Sequence, residues 1–168
     1  IELCKKIEPN NIEISAPHDH QPIEEIVNII KDYKKEGVNF TLHNYFPVPK
    51  KSFVLNIASE DEECQNSSYD LIKNALYLAE IANSPLYGVH AGYLKNAKSN
   101  KEGQFIFDSG GSNYNKSLKR AVEFVCKISK DFERTNTSLI IENLFPSPKK
   151  RHSLNCSYEE IYEYFSFL

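Results

Sequence analysis

Three apolar runs end in side chains able to hold a metal or move a proton: Phe40-Thr41-Leu42-His43, Leu86-Tyr87-Gly88-Val89-His90 and Ser138-Leu139-Ile140-Ile141-Glu142. Two neutral imidazoles and a carboxylate, each on its own strand, match the mixed nitrogen and oxygen ligand sets of Zn²⁺ and are tolerable for Mn²⁺. If the runs are neighbouring parallel strands, His43, His90 and Glu142 come out side by side at one sheet edge, where α/β folds keep ligands and metals.

Each of the three has a plainer alternative. His43 could cap or pack a strand end, although Asn44 and Tyr45 follow it and place three hydrogen-bonding side chains where a strand opens into a loop. His90 lies between Gly88 and Ala91-Gly92; such small residues admit a ligand or merely allow a tight turn. Glu142 follows Leu139-Ile140-Ile141, a run apolar enough to be buried on both faces. Its carboxylate then needs a metal, a cation or a hydrogen-bond donor, and a salt bridge inside the fold is the alternative to a metal. Pro17-His18-Asp19-His20 reads first as helix capping, with His18 as a second candidate for a pocket. Lys50-Lys51 and Lys149-Lys150-Arg151 suit solvent, or a phosphate-bearing substrate.

The elements that must position these residues follow from periodicity. Residues 11–15 form a short strand candidate. Pro22, with Glu24 and Glu25 behind it, starts a helix that Gly37 ends, with Ile23, Ile26, Val27, Ile30 and Tyr33 inward. A second helix is expected from about residue 68 to 83, with Leu71, Ile72, Ala75, Leu76, Ala79 and Ile81 inward, broken by Asn83-Ser84-Pro85. A third spans roughly residues 115 to 134, with Leu118, Ala121, Val122, Val125, Ile128 and Phe132 inward. Ser157-Tyr158-Glu159-Glu160 has the form of a capping box and places a fourth start at Ser157. Strict alternation of helix and strand calls for a parallel sheet with helical crossovers. The later strand-to-helix loops are long and the helix-to-strand ones short. Long loops crowd one face, and such loops are usually functional.

With 168 residues, 26% charged and 40% hydrophobic, the chain suits one soluble globular domain. A formal charge of -3 gives no global field for gathering nucleic acid. No run approaches a membrane span and no signal peptide is evident, so the default expectation is cytoplasmic. Cys4, Cys64, Cys126 and Cys156 show no paired spacing and read as ordinary thiols. Ile1 is not a start methionine, residues 1–7 look like the last turns of a helix, and the chain stops without a cap; these features suggest a piece of a longer protein.

The runs His43-Asn44-Tyr45-Phe46, Val54-Leu55-Asn56-Ile57-Ala58-Ser59, Val89-His90-Ala91-Gly92 and Ile140-Ile141-Glu142-Asn143 together resemble the xylose isomerase-like TIM-barrel superfamily. That group joins sugar and sugar-phosphate isomerases and epimerases with endonuclease IV. The resemblance implies an α/β (β/α)8 barrel of which about the second to fifth strands are present, as a single partial domain over residues 1–168. It puts His43, His90 and Glu142 on the third, fourth and fifth barrel strands. In the nuclease branch the matching residues are metal ligands. In the epimerase branch the residue matching Glu142 is both a metal ligand and one of two acid/base carboxylates, and the two histidine positions line the pocket.

Asn44 in place of Asp, the insertion with Pro47, Pro49, Lys50 and Lys51, and Ala91 in place of proline fit the sugar isomerase branch better than the nuclease. The reading is therefore an enzyme, a divalent-metal-dependent isomerase or epimerase of a sugar or sugar phosphate, with an apurinic-site DNA nuclease carrying a multi-zinc site as the alternative. Glu142 is the expected catalytic residue. His43, Tyr45, His90, Asn143 and Lys51 are the expected substrate contacts, and His43, His90 and Glu142 the expected ligands of Zn, Mn or Mg. The expected partner is a small sugar or sugar phosphate rather than nucleic acid or a membrane, with homo-oligomerisation left open. A barrel lacking its first and last strands exposes sheet edges, so the isolated piece is expected to be inactive or poorly stable.

Overall fold

The computed structural model describes residues 10–16, 19–109, 113–145 and 152–168. Four parallel strands, β1 (Asn11–Ile14), β2 (Asn39–Leu42), β3 (Leu86–His90) and β6 (Ser138–Glu142), form one sheet in the order β1-β2-β3-β6. Helices α1 (Ile23–Lys35), α2 (Glu62–Ala82) and α3 (Tyr114–Asp131) make the crossovers, and α4 (Tyr158–Ser166) follows the last strand. Residues 1–7, His18 and Lys149-Lys150-Arg151 lie outside the described residues.

Local chemistry explains the ends of these elements. After α1, Gly37 takes φ +85°, so that its amide reaches the Lys34 carbonyl and the Val38 amide reaches Tyr33, which turns the chain straight into β2. Asn83, at φ 56°, ends α2 the same way, with Ser84 bonding back to Ala79. Lys34 on α1 also donates to the Ile81 carbonyl at 2.9 Å, tying the ends of two crossovers together. The second helix starts earlier than its apolar spacing suggests. Asp61 accepts from the Cys64 amide at 2.7 Å, and this cap adds a polar first turn that hydrophobic periodicity cannot report. Ser157 caps α4 as expected, accepting from the Glu160 amide, while the Glu160 carboxylate takes the Cys156 amide.

The inward faces of α1, α2 and α3 pack on the sheet as their spacing requires. Ile26, Ile30, Leu71, Ile72, Leu76, Leu118, Val125 and Ile128 are buried, joined by Leu78 and Phe124. Burying each such side chain contributes about 1.5–3 kcal/mol against leaving it in water.

Two expectations are corrected. Strict alternation fails after β3, where β4 (Ala97–Ser99) and β5 (Phe105–Phe107) make a separate antiparallel hairpin. Its turn is held by Asn100, whose Oδ1 accepts from the Glu102 and Gln104 amides, and by Gly103 at φ +77°. Nor is β6 buried on both faces: Ile140 is 42% exposed, because β6 is an outer strand of the sheet among the described residues.

Candidate functional site

Pairing of β3 with β6 runs from Leu86 opposite Ser138 to His90 opposite Glu142. The two side chains therefore leave the same sheet edge at the same level, with His90 Nε2 3.7 Å from Glu142 Oε2. Gly88 makes this possible. A Cβ there would collide with Glu142 Oε1, so the carboxylate lies over the one position of β3 that has no side chain.

His90 is held on its other side. Its Nδ1 lies 2.9 Å from the Tyr93 hydroxyl, and its ring meets those of Tyr45 and Tyr93 edge-on at centroid distances of 5.9 Å. Phe105, brought in by the hairpin, packs against Tyr45 at 6.3 Å and Tyr93 at 5.9 Å. The result is an aromatic wall beside the imidazole. Burial, helped by the nearby His43, lowers the His90 pKa to about 4, so the ring is neutral at pH 7. Burial also pushes the Tyr93 phenol up to about 12 and those of Tyr45 and Tyr87 higher still, so all three stay protonated.

The structure brings two of the three expected ligands level and sets the third lower. Leu42 pairs with Tyr87, which places His43 level with Gly88, two residues short of His90 and so about 7 Å lower along the strand direction. His43 is exposed, and its Nδ1 lies 3.2 Å from the Asn44 carbonyl and 3.4 Å from the Ser15 hydroxyl. It is still near enough to bear on the charge of His90. Among the described residues, no three His, Cys, Asp or Glu side chains form a group that could hold a metal ion.

The His90–Glu142 pair nonetheless suits part of such a site. Its 3.7 Å gap is too long for a hydrogen bond and near the roughly 3.4 Å between two ligand atoms of a tetrahedral ion with bonds of about 2.1 Å. A neutral imidazole beside a carboxylate also has the right donor chemistry for Zn²⁺ or Mn²⁺.

Tyr45 follows β2 at φ 65°, with its hydroxyl buried beside that of Tyr93. Asn44 is buried and its Oδ1 accepts from the Tyr45 amide, which fixes this turn. Asn143 is exposed, one residue past Glu142. Lys51 is elsewhere. Its ammonium pairs with Glu63 at 2.8 Å on the rim of a cavity of about 700 Å³ that none of the other candidate residues lines.

Sequence reasoning missed Tyr93, Phe105 and the role of Asn56. The Asn56 amide is buried; its Oδ1 accepts from the Tyr93 and Ala58 amides, and its Nδ2 donates to Asn96 Oδ1 at 3.0 Å and, more weakly, to the Lys95 carbonyl. This one side chain locks the loop after β2 to the loop after β3. Gly92, at φ +112°, lies so close to Ala58 that a Cβ would come within 2.8 Å of the alanine methyl. The one signal for Phe105 in the sequence is the short apolar run Phe105-Ile106-Phe107 beyond Gly103.

A sequence model described as xylose isomerase-like TIM barrel matches residues 1–167. The chain belongs to the xylose isomerase-like TIM-barrel family. Its four parallel strands are an arc of that family's barrel, and the His90–Glu142 pair stands at the arc's carboxyl edge. A search by sequence against curated proteins gives no match.

Among solved structures, the chain is similar to a D-tagatose 3-epimerase-like protein, with TM-score 0.64, 21% identity and coverage of 95% of this chain and 53% of that one. It is also similar to a D-psicose 3-epimerase, with TM-score 0.65, 20% identity and coverage of 96% and 50%. A 3-keto-D-glucoside 4-epimerase from E. coli gives TM-score 0.64, 15% identity and coverage of 98% and 56%. The chain thus spans about half the length of these family structures. At these identities the likeness shows the fold. No helix among the described residues is long and apolar enough to cross a membrane.

Proposed function

We propose that the protein is a divalent-metal-dependent isomerase or epimerase that acts on a sugar or sugar phosphate by proton transfer next to a carbonyl. The supporting observation is the level His90–Glu142 pair, with a neutral imidazole, on a family barrel whose structural neighbours are named as sugar epimerases.

Removing a proton beside a carbonyl requires a base at the carbon and a means of holding the negative charge that develops on oxygen. A bound divalent cation supplies the second requirement. His90 Nε2 and one Glu142 oxygen are the groups that would hold it, with the exposed His43, set lower along the strands, able to hold a substrate hydroxyl or a second ion. The other Glu142 oxygen is the group assigned to move the proton. Tyr45 borders the sugar, with Phe105 behind it excluding water. Asn143 offers its amide to a hydroxyl, while Lys51, paired with Glu63 on a separate cavity, is given no part in holding this substrate.

The test is deuterium uptake from D₂O into D-fructose, D-psicose or D-tagatose next to the carbonyl, read by NMR with Mn²⁺, Zn²⁺ or Mg²⁺ present. In the whole protein uptake is expected, with a loss of about 100-fold or more in Glu142→Gln. A Glu142→Gln protein as active as the wild type refutes the assignment.

A further inference from the structure

We infer that the concave face of the arc is an interface for a complementary half-barrel that brings a lysine or arginine to the level of Glu13, and that Glu13 turns away a second copy of this chain. The inference is independent of the chemistry proposed at the rim.

Alternation along the strands identifies the face. Leu42 and its partner Tyr87 are buried in the core under the helices, and Ile12 and Ile14 of β1 pack on that same core. The residues between them therefore point the other way, into the arc. Glu13 lies there opposite Thr41, followed by Ser15, whose hydroxyl is 3.4 Å from His43 Nδ1. On the neighbouring strands Leu86 and Ile140 share this concave side with Gly88 and Glu142, and they are 41% and 42% exposed. A barrel interior is a packed core, so apolar side chains this bare belong under a cover. The chain spans about half the length of the family structures it matches, and four further strands are the cover that fits its own four.

A second copy and a different half-barrel both offer four strands. Charge separates them. By alternation the concave residues of the four strands include Glu13 and Glu142 but no lysine or arginine. Glu142 stands at the rim, within reach of water, whereas Glu13 lies lower on β1, exposed and paired with no cation among the described residues. In a closed eight-stranded barrel the inward side chains stack in layers supplied by alternate strands. Two copies related by a twofold axis along the barrel would set β1 and its mate four strands apart, so both Glu13 carboxylates would enter one layer. Two like charges would then leave water with no counter-ion, an arrangement a core tolerates poorly. An inward charge on an edge strand also guards against wrong pairing, and β1 is an edge of the sheet among the described residues. A half-barrel with a basic side chain in that layer meets no such penalty.

Charge reversal supplies the test. Sedimentation velocity at pH 7 is run on the wild-type chain, on Glu13→Lys and on an equimolar mixture of the two. Each chain alone should stay monomeric, because each would bring two like charges together. The mixture should sediment as a dimer, with association at least about 100-fold tighter than either chain with itself. Glu13→Leu, which fills the layer with an apolar side chain, should pair with itself. The mixed dimer should survive Tyr162→Lys in both chains and be lost with Ile140→Asn in both, since Ile140 is on the concave face and Tyr162 is on α4. A wild type that dimerises alone overturns the inference, as does a mixture that stays monomeric. A Glu13→Leu chain that stays monomeric shows that this charge is not what keeps copies apart, and a mixed dimer abolished by Tyr162→Lys places the contact on α4; either result also overturns it.

Discussion

His90 shows how one burial decision becomes chemistry. Desolvation, with His43 adding to it, moves the ring's pKa from the ordinary 6.5 to about 4 in the folded chain. Between those values the unfolded chain binds a proton that the native one does not, so native stability falls as pH drops through this window. In the metal-free wild type, the loss between pH 7 and pH 4 should exceed that of His90→Gln by about 3 kcal/mol. Urea unfolding of both proteins at the two pH values measures it; equal losses would mean that the ring is solvated. The ligating residue types at strand ends were legible in the chain because apolar runs stopping at His43, His90 and Glu142 are a one-dimensional pattern. What the pattern could not carry was level. Only the pairing of Leu42 with Tyr87 reveals that His43 stands two residues below His90. Likewise Tyr93, an ordinary tyrosine beside Gly92, acquires meaning only from the 2.9 Å contact that folding makes.

Helices and parallel strands were the most legible elements, since the inward faces of α1, α2 and α3 repeat at helical spacing, Gly37 and Asn83 end α1 and α2, and Ser157 starts α4. The missed elements were short. β4 and β5 have three residues each, too few for alternation to stand out inside a loop. The first turn of α2 was missed for the opposite reason, as it rests on the Asp61 cap rather than on apolar residues. Where β3 and β6 meet, Gly88→Ala separates fold from site. The new methyl would meet the far end of a flexible side chain rather than backbone, and Gly88 is not at positive φ. The melting temperature should therefore change little, while Glu142 is displaced and deuterium uptake falls about 10-fold or more, because misplacement by about 1 Å is enough to do so. A variant with full activity would show that Glu142 does not work from this position.

Across the whole molecule, the arc presents an uncovered apolar flank. Tyr158 and Tyr162 are 78% and 69% exposed, and with Phe165 they recur at helical spacing along one side of α4. Exposed patches of this kind lower solubility. Tyr162→Lys should raise the concentration at which the chain precipitates without lowering its melting temperature, as turbidity and thermal unfolding would show; an unchanged threshold would mean that the stripe is not what limits solubility. The crowding of phenols around His90 has an optical consequence. The chain has ten tyrosines and no tryptophan, and Tyr45, Tyr87 and Tyr93 all stand near the His90–Glu142 pair. Excited near 275 nm, the molecule carries its own lamp beside the His90–Glu142 pair, and a guest seated there should dim it with no dye attached.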